Sequence, residues 1–167
     1  MKKISLADVV ISSYMPGSLG KITEIHARYY STHWNFGLFF EAQVARELSN
    51  LLTHDKWHRN GFWVALFRNE IIGSIAIDGN QADNALARLR FFIVIPEFES
   101  HGVGNLLMAK AINFCREKGF KKVFLTTFQG LEAARLLYEE WGFKLAEEKE
   151  DTTWGKLVKE QLFELVL

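Results

Sequence analysis

The run His101-Gly102-Val103-Gly104-Asn105-Leu106-Leu107-Met108 constrains this chain more than any other. Ahead of it lies Phe91-Phe92-Ile93-Val94-Ile95, an apolar segment with the length and branching of a buried strand. Pro96 closes that strand, because proline has no N–H for a ladder. Behind the glycines, Val103, Leu106, Leu107, Ala111, Phe114 and Cys115 recur at helical spacing. Strand, glycine loop and helix therefore follow one another. A helix start carries free N–H groups and the positive end of a dipole, and glycine lets an anion come close to backbone. Two readings fit these residues: a phosphate or pyrophosphate cradle, or a tight turn into a helix. It is no Walker loop, since no Gly-Lys-Ser/Thr follows. Nor is it the dinucleotide fingerprint, since Leu107 takes the third glycine's place.

The rest of the chain reads as one α+β domain over residues 1–167. Ile4–Tyr14 alternates weakly as a first strand, and Ser18 is placed to cap a helix through Ile22, Ile25, His26 and Tyr29. Phe39 to Leu52 repeats apolar residues as a second helix. Phe62–Phe67 and Ile71–Ile77 flank Arg68-Asn69-Glu70 as a hairpin. A long strand over 85–95 carries Arg88 and Arg90 on one face, with Leu89 and Phe91 on the other. Val123–Thr126 follows the glycine-loop helix, so it should run parallel to the long strand. A helix over 131–140, a strand over 143–147, a charged loop over 148–153 and a last strand over 157–167 complete the pattern.

Formal charge is zero, from 20 basic and 20 acidic residues, so the basic face of a nucleic-acid binder is not expected. No apolar stretch approaches the ~20 residues of a membrane span, and Met1-Lys2-Lys3 leads into no sustained apolar run. Cys115 is the only cysteine, which excludes an intrachain disulfide and points to a reducing, cytoplasmic setting. It sits on its helix's apolar stripe, as a structural thiol would. His54 and His58 have metal-pair spacing without further ligands, so no metal is expected.

Two segments carry a family resemblance. Phe92-Ile93-Val94-Ile95-Pro96-Glu97-Phe98-Glu99-Ser100-His101-Gly102-Val103-Gly104-Asn105-Leu106-Leu107 resembles the acetyl-CoA motif of GCN5-related N-acetyltransferases (GNAT). Ala134-Arg135-Leu136-Leu137-Tyr138-Glu139-Glu140-Trp141-Gly142-Phe143 resembles the helix-strand motif that follows it. The C-terminal run Thr153–Phe163 is similar to acetyltransferase domains fused to MarR-type regulators, here expected without the DNA-binding half.

The resemblance implies a mixed, mostly antiparallel twisted sheet with helices on both faces and a central parallel strand pair. It implies acetyl-CoA as cosubstrate: backbone groups of Ile93, Val94 and Ile95 for the pantetheine arm, and amides from Ser100, His101, Gly102, Val103, Gly104 and Asn105 for the pyrophosphate. Tyr138 matches the tyrosine that protonates the leaving thiolate in many members. Two positions depart from the family pattern. Glu99 stands where Arg or Gln is common, and Leu131 where Asn is frequent. The function implied is direct acetyl transfer to a primary amine of a small molecule or peptide in a ternary complex. The alternatives are a non-catalytic acyl-CoA or ligand sensor, and a phosphate-ligand binder unrelated to CoA.

The acceptor should enter among the aromatic residues of the first two helices, with Tyr29, Trp34 and Glu41 as expected contacts. Glu97, Asp78 and His26 are candidate bases, alongside a base acting through water. A homodimer through an exposed last strand is possible.

Overall fold

The computed structural model describes residues 5–167; Ile4, where the expected first strand begins, and Met1-Lys2-Lys3, from which no leader is expected, lie outside them. Seven strands form one sheet: β1 (Val9–Ser12), β2 (Gly61–Phe67), β3 (Glu70–Asp78), β4 (Leu86–Val94), β5 (Lys122–Phe128), β6 (Lys144–Asp151) and β7 (Val158–Val166). Their order across the sheet is β1-β2-β3-β4-β5-β7-β6. All neighbours are antiparallel except β4 and β5, which pair in parallel as the intervening helix requires. The helices are α1 (Ser18–Trp34), α2 (Leu38–Leu52), α3 (Val103–Glu117) and α4 (Glu132–Glu140).

Each sheet face buries an apolar layer. On one, Leu107, Met108, Ala111, Ile112 and Cys115 of α3 pack on Ile75, Ile77, Ala87, Leu89, Val123 and Leu125. On the other, Ile22 and Ile25 of α1 and Leu48 and Leu51 of α2 cover Phe62, Val64, Ala76 and Ile93. Cys115 is fully buried, and that burial pushes its thiol up to about 12, so thiolate chemistry at neutral pH is closed to it. The β2–β3 turn places both Arg68 and Asn69 at positive φ, as a type I′ hairpin needs.

Several sequence expectations are corrected. The first strand is shorter, because a 3-10 turn occupies Leu6–Asp8. Gly17, at φ 93°, caps α1 in place of Ser18, whose hydroxyl accepts from the Met15 N–H instead (3.2 Å). The segment 148–153 is not all loop, since β6 runs on to Asp151. Its residues hide because β6 is an edge strand with both faces largely exposed, so it carries no apolar alternation. Cross-strand ion pairs hold it instead: Lys159–Glu148 (3.2 Å) and Lys149–Glu160 (3.8 Å). The last strand, β7, lies between β5 and β6, so it offers no free edge for a second copy.

Phe91 is the most consequential correction. A bulge lies in β4 where Ser74 pairs with Ile93 but Ala76 pairs with Arg90. Phe91 takes φ 50° there, and its carbonyl accepts from the Ser74 hydroxyl (2.6 Å). The extra residue moves Phe91 from the expected Leu89 face to the face of Arg90, whose guanidinium stacks 4.9 Å above its ring. Beyond the bulge, Ile93 also lies under α1 and α2, while Phe92 and Val94 face α3.

The core should respond to truncation in proportion to burial. Leu107→Ala, at a wholly buried position facing the sheet, should lose about 2–5 kcal/mol of unfolding free energy in a urea titration. Leu38→Ala, at a side chain 79% exposed, should stay within about 0.5 kcal/mol of the parent.

Candidate active-site cleft

The β4–β5 ladder holds only three residue pairs, Leu86–Lys122, Ala87–Val123 and Arg88–Phe124. Both strands continue past that point without pairing to each other, β4 to Val94 and β5 to Phe128. A cleft of about 620 Å³ opens between them, walled also by α4 and the glycine loop. Backbone polarity follows from strand parity. Ile95 donates its N–H to Ile72 across the sheet (2.9 Å), and Ser74 opposes Ile93. The amide and carbonyl of Val94 therefore turn to the unpaired side, toward the cleft. Ile93 lines the cleft too, whereas Ile95 lines a second groove on the α1 side of β4.

At one end of the cleft the loop after β4 turns into α3. Ser100 (φ 60°) and Gly102 (φ 83°) adopt the left-handed conformation that bends it. The first backbone bond of α3 runs from the Leu106 N–H to Gly102 (3.2 Å). The amides of Val103, Gly104 and Asn105 thus precede any intrahelical partner. Gly104 also serves packing, for a Cβ there would lie 3.0 Å from Leu137 and 3.3 Å from Phe92. Ser100, Gly102, Gly104 and Asn105 line the cleft, and the Asn105 side-chain oxygen is held by the Trp141 indole N–H (2.8 Å). The Val103 side chain is buried in the core. The exposed His101 bonds its ring to the Glu99 carbonyl (2.7 Å) and stands outside the cleft lining. Glu99 itself, and Leu131, do line the cleft.

Tyr138, on α4, is 5% exposed and packs among Phe92, Phe143 and Phe163, with ring centroids 5.9–6.1 Å away. It forms part of the cleft wall. Burial, and then the neighbouring Tyr30, raise its phenol well above the usual tyrosine value. Tyr30, on the opposite wall, is raised in the same way by burial and by Tyr29.

The acceptor residues expected from sequence separate in space. Tyr29 lines the cleft, and its phenol is raised by partial burial and by Glu99. Trp34 packs beside the cleft against Tyr30 and Phe128, with centroids at 5.4 and 6.2 Å. Glu41 is exposed in the first turn of α2, away from the cleft lining. The three candidate bases separate as well. Asp78 pairs with Arg90 (3.6 Å), and Glu97 lines the second groove. His26 alone lines the cleft. Its Nδ1 donates to the Ile22 carbonyl (2.8 Å), which leaves Nε2 as the lone-pair nitrogen. Sequence reasoning passed over Arg88, Thr126, Phe128 and Trp154, which β4, β5 and the β6–β7 loop bring together. The available signal was a pair of arginines, Arg88 and Arg90, on one face of an otherwise apolar strand.

Comparisons with known proteins agree with this geometry. Residues 20–143 match the model of the acetyltransferase (GNAT) family, and the chain belongs to that family. Its seven-stranded sheet with one parallel pair is the GNAT fold. N-acetylaspartate synthetase of Danio rerio is 31% identical over 101 residues, covering 60% of this chain and 36% of that protein. The chain thus matches about a third of that relative's length. A GNAT-family acetyltransferase from Staphylococcus aureus Mu50 superposes with a TM-score of 0.77 at 20% identity, over 95% of this chain and 99% of the other. A structure from Salmonella typhimurium, solved with its cofactor acetyl-CoA, gives 0.72 at 14% identity, over 96% and 94%.

His26 makes stability depend on pH. Burial outweighs the Ile22 bond and lowers its imidazole to about 4. The folded state thus favours neutral His26, and the unfolded chain takes up the proton first. Stability is full above the unfolded value near 6.5 and falls as pH drops toward the folded value. Unfolding free energies from urea titrations at pH 7 and pH 5 should differ by about 2 kcal/mol from this residue. His26→Gln should flatten that part of the difference.

Proposed function

We propose that this chain transfers an acetyl group from acetyl-CoA to a primary amine of a small molecule or peptide, by direct attack in a ternary complex. One observation carries the reading. β4 and β5 part beyond Arg88, and the free amides of α3 and the Tyr138 phenol border the same opening. Family membership and the Salmonella typhimurium neighbour's acetyl-CoA support the cosubstrate. The Danio rerio relative's name supports N-acetyl chemistry.

The residues present suit acetyl-CoA in kind. Its diphosphate calls for backbone donors, which the stretch from Ser100 through His101, Gly102, Val103 and Gly104 to Asn105 would supply. Its amide arm calls for a strand edge with free groups, which Val94, flanked by Ile93 and Ile95, would supply. Bound there, acetyl-CoA brings an activated acyl carbon. The Val94 N–H would meet the negative charge that develops on the acyl oxygen. Tyr138, held protonated by its burial, would give its phenolic proton to sulfur as the C–S bond breaks. His26 is the base candidate that lines the cleft, and its Nε2 would take the amine's proton directly or through water. Tyr29 is the acceptor contact that the geometry favours, with Trp34 beside it and Glu41 at the outer rim.

Glu99 favours a second reading. A carboxylate on the cleft lining beside the anion cradle opposes a diphosphate, as a module that senses CoA weakly would tolerate. The run Thr153–Phe163 supports a nearer likeness to domains joined to MarR-type regulators, and those residues alone carry it. Cytoplasmic action rests on the single cysteine.

Tyr138→Phe separates the two readings. CoA release from acetyl-CoA should fall by about 10²–10⁴-fold in kcat, while the calorimetric affinity for CoA stays within about threefold. A parent protein that binds CoA and turns over no amine would establish the sensor instead.

A further inference from the structure

Among the described residues, two buried side-chain polar atoms lack a hydrogen-bond partner, Asn80 Oδ1 and Arg88 Nε. Only Arg88 borders the cleft. It stands at the vertex where the β4–β5 ladder ends, on the face covered by α1 and α2. One terminal nitrogen donates to the Thr126 hydroxyl (3.1 Å). Two residues on, Arg90 is fully matched by Glu47 and by Asp78. Arg88 has no carboxylate within pairing distance among the described residues. Glu47, Asp78 and Glu160 act on it only from further off, and Glu160 pairs with Lys149.

A guanidinium stays charged, carries five N–H donors in a planar fork, and is costly to bury unpaired. Its best complement is a carboxylate, which accepts two parallel bonds from that fork. Alongside Arg88 the cleft is lined by the apolar side chains Phe40, Val44, Phe91, Phe128 and Trp154. Those walls suit the carbon body of a small acid.

Resting on the transferase reading above, we infer that the acceptor is an amine that also carries a carboxylate, and that Arg88 binds this carboxylate at the vertex of the cleft. Arg88 thereby sets specificity, and the amine is presented toward the Val94 and Tyr138 end.

The experiment compares matched acceptors. CoA release is measured for the L-amino acids and for ω-amino acids. Their decarboxylated amines, their carboxamides and spermidine are run in parallel, with calorimetry of CoA alone. Carboxylate-bearing acceptors should exceed their decarboxylated partners by about 10- to 100-fold in kcat/KM. In Arg88→Gln that ratio should fall toward one, through KM for the acid. Equal turnover of both partners by the parent protein overturns the inference, as does a preference for spermidine. A preference that survives Arg88→Gln also overturns it. Turnover of other amines with none of any carboxylate-bearing amine does the same. Should Arg88→Gln fail to fold, the parent protein's ratio decides the matter. Absence of CoA binding, or CoA binding with no turnover of any amine, strikes the transferase reading itself, a result distinct from all of these.

Discussion

The molecule depends on a parallel ladder that stops after three pairs. β4 and β5 meet at Leu86–Arg88 and Lys122–Phe124, then continue as strands whose facing edges have no partner. A sheet elsewhere satisfies its backbone groups by pairing, and leaving them open is unfavourable unless something else binds there. The bulge at Phe91 lies in this open stretch, on the β3 side of β4. It costs a non-glycine residue at positive φ, and it redirects the side chains that follow. The two apolar layers, Leu107 and Met108 below and Ile22 and Leu48 above, hold the sheet rigid around the gap.

The charge distribution of the cleft follows from the same geometry. The start of α3 brings unpartnered amides to one end, and Glu99 sets a negative charge beside them. Two tyrosines, Tyr30 and Tyr138, face the space from opposite walls, and their burial keeps both phenols protonated. His26 is kept neutral by the same loss of water. In such a setting an ionic contact is worth more than at the surface, and an unmatched charge costs more. Arg88 therefore stands out against Arg90, its neighbour on the same strand face, which two carboxylates match.

Local pattern made much of this legible. The strand-proline-glycine-helix succession from Phe91 to Cys115 is written in residues that each favour the structure they adopt, so the loop, α3 and the parallel β5 could be read in order. The helix that carries Tyr138 was legible through the motif around it, and the structure sets that helix in the cleft wall. The first half of strand β6 was read, but its second half, Glu148–Asp151, was not, because an edge strand exposed on both faces shows no alternation and its Glu and Lys resemble a solvated loop. Phe91 was misplaced because a bulge breaks the two-residue period on which face assignment depends. Glu41 was grouped with Tyr29 by sequence nearness, yet the turn between α1 and α2 carries it to the outer surface.

By itself the sequence determined the elements, their order, the reading of one parallel crossing, and the family to which the chain belongs. These depend on contacts close along the chain or on a motif carried whole by one segment. The tertiary structure decided which groups share the cleft. Arg88, Thr126, His26 and Trp154 are remote in sequence, and they meet only because β4 and β5 part at one vertex and α1 folds over it. The same structure decided that Arg88, and not Arg90, would be the β4 arginine left without a carboxylate, since pairing depends on distances across elements that no local pattern records.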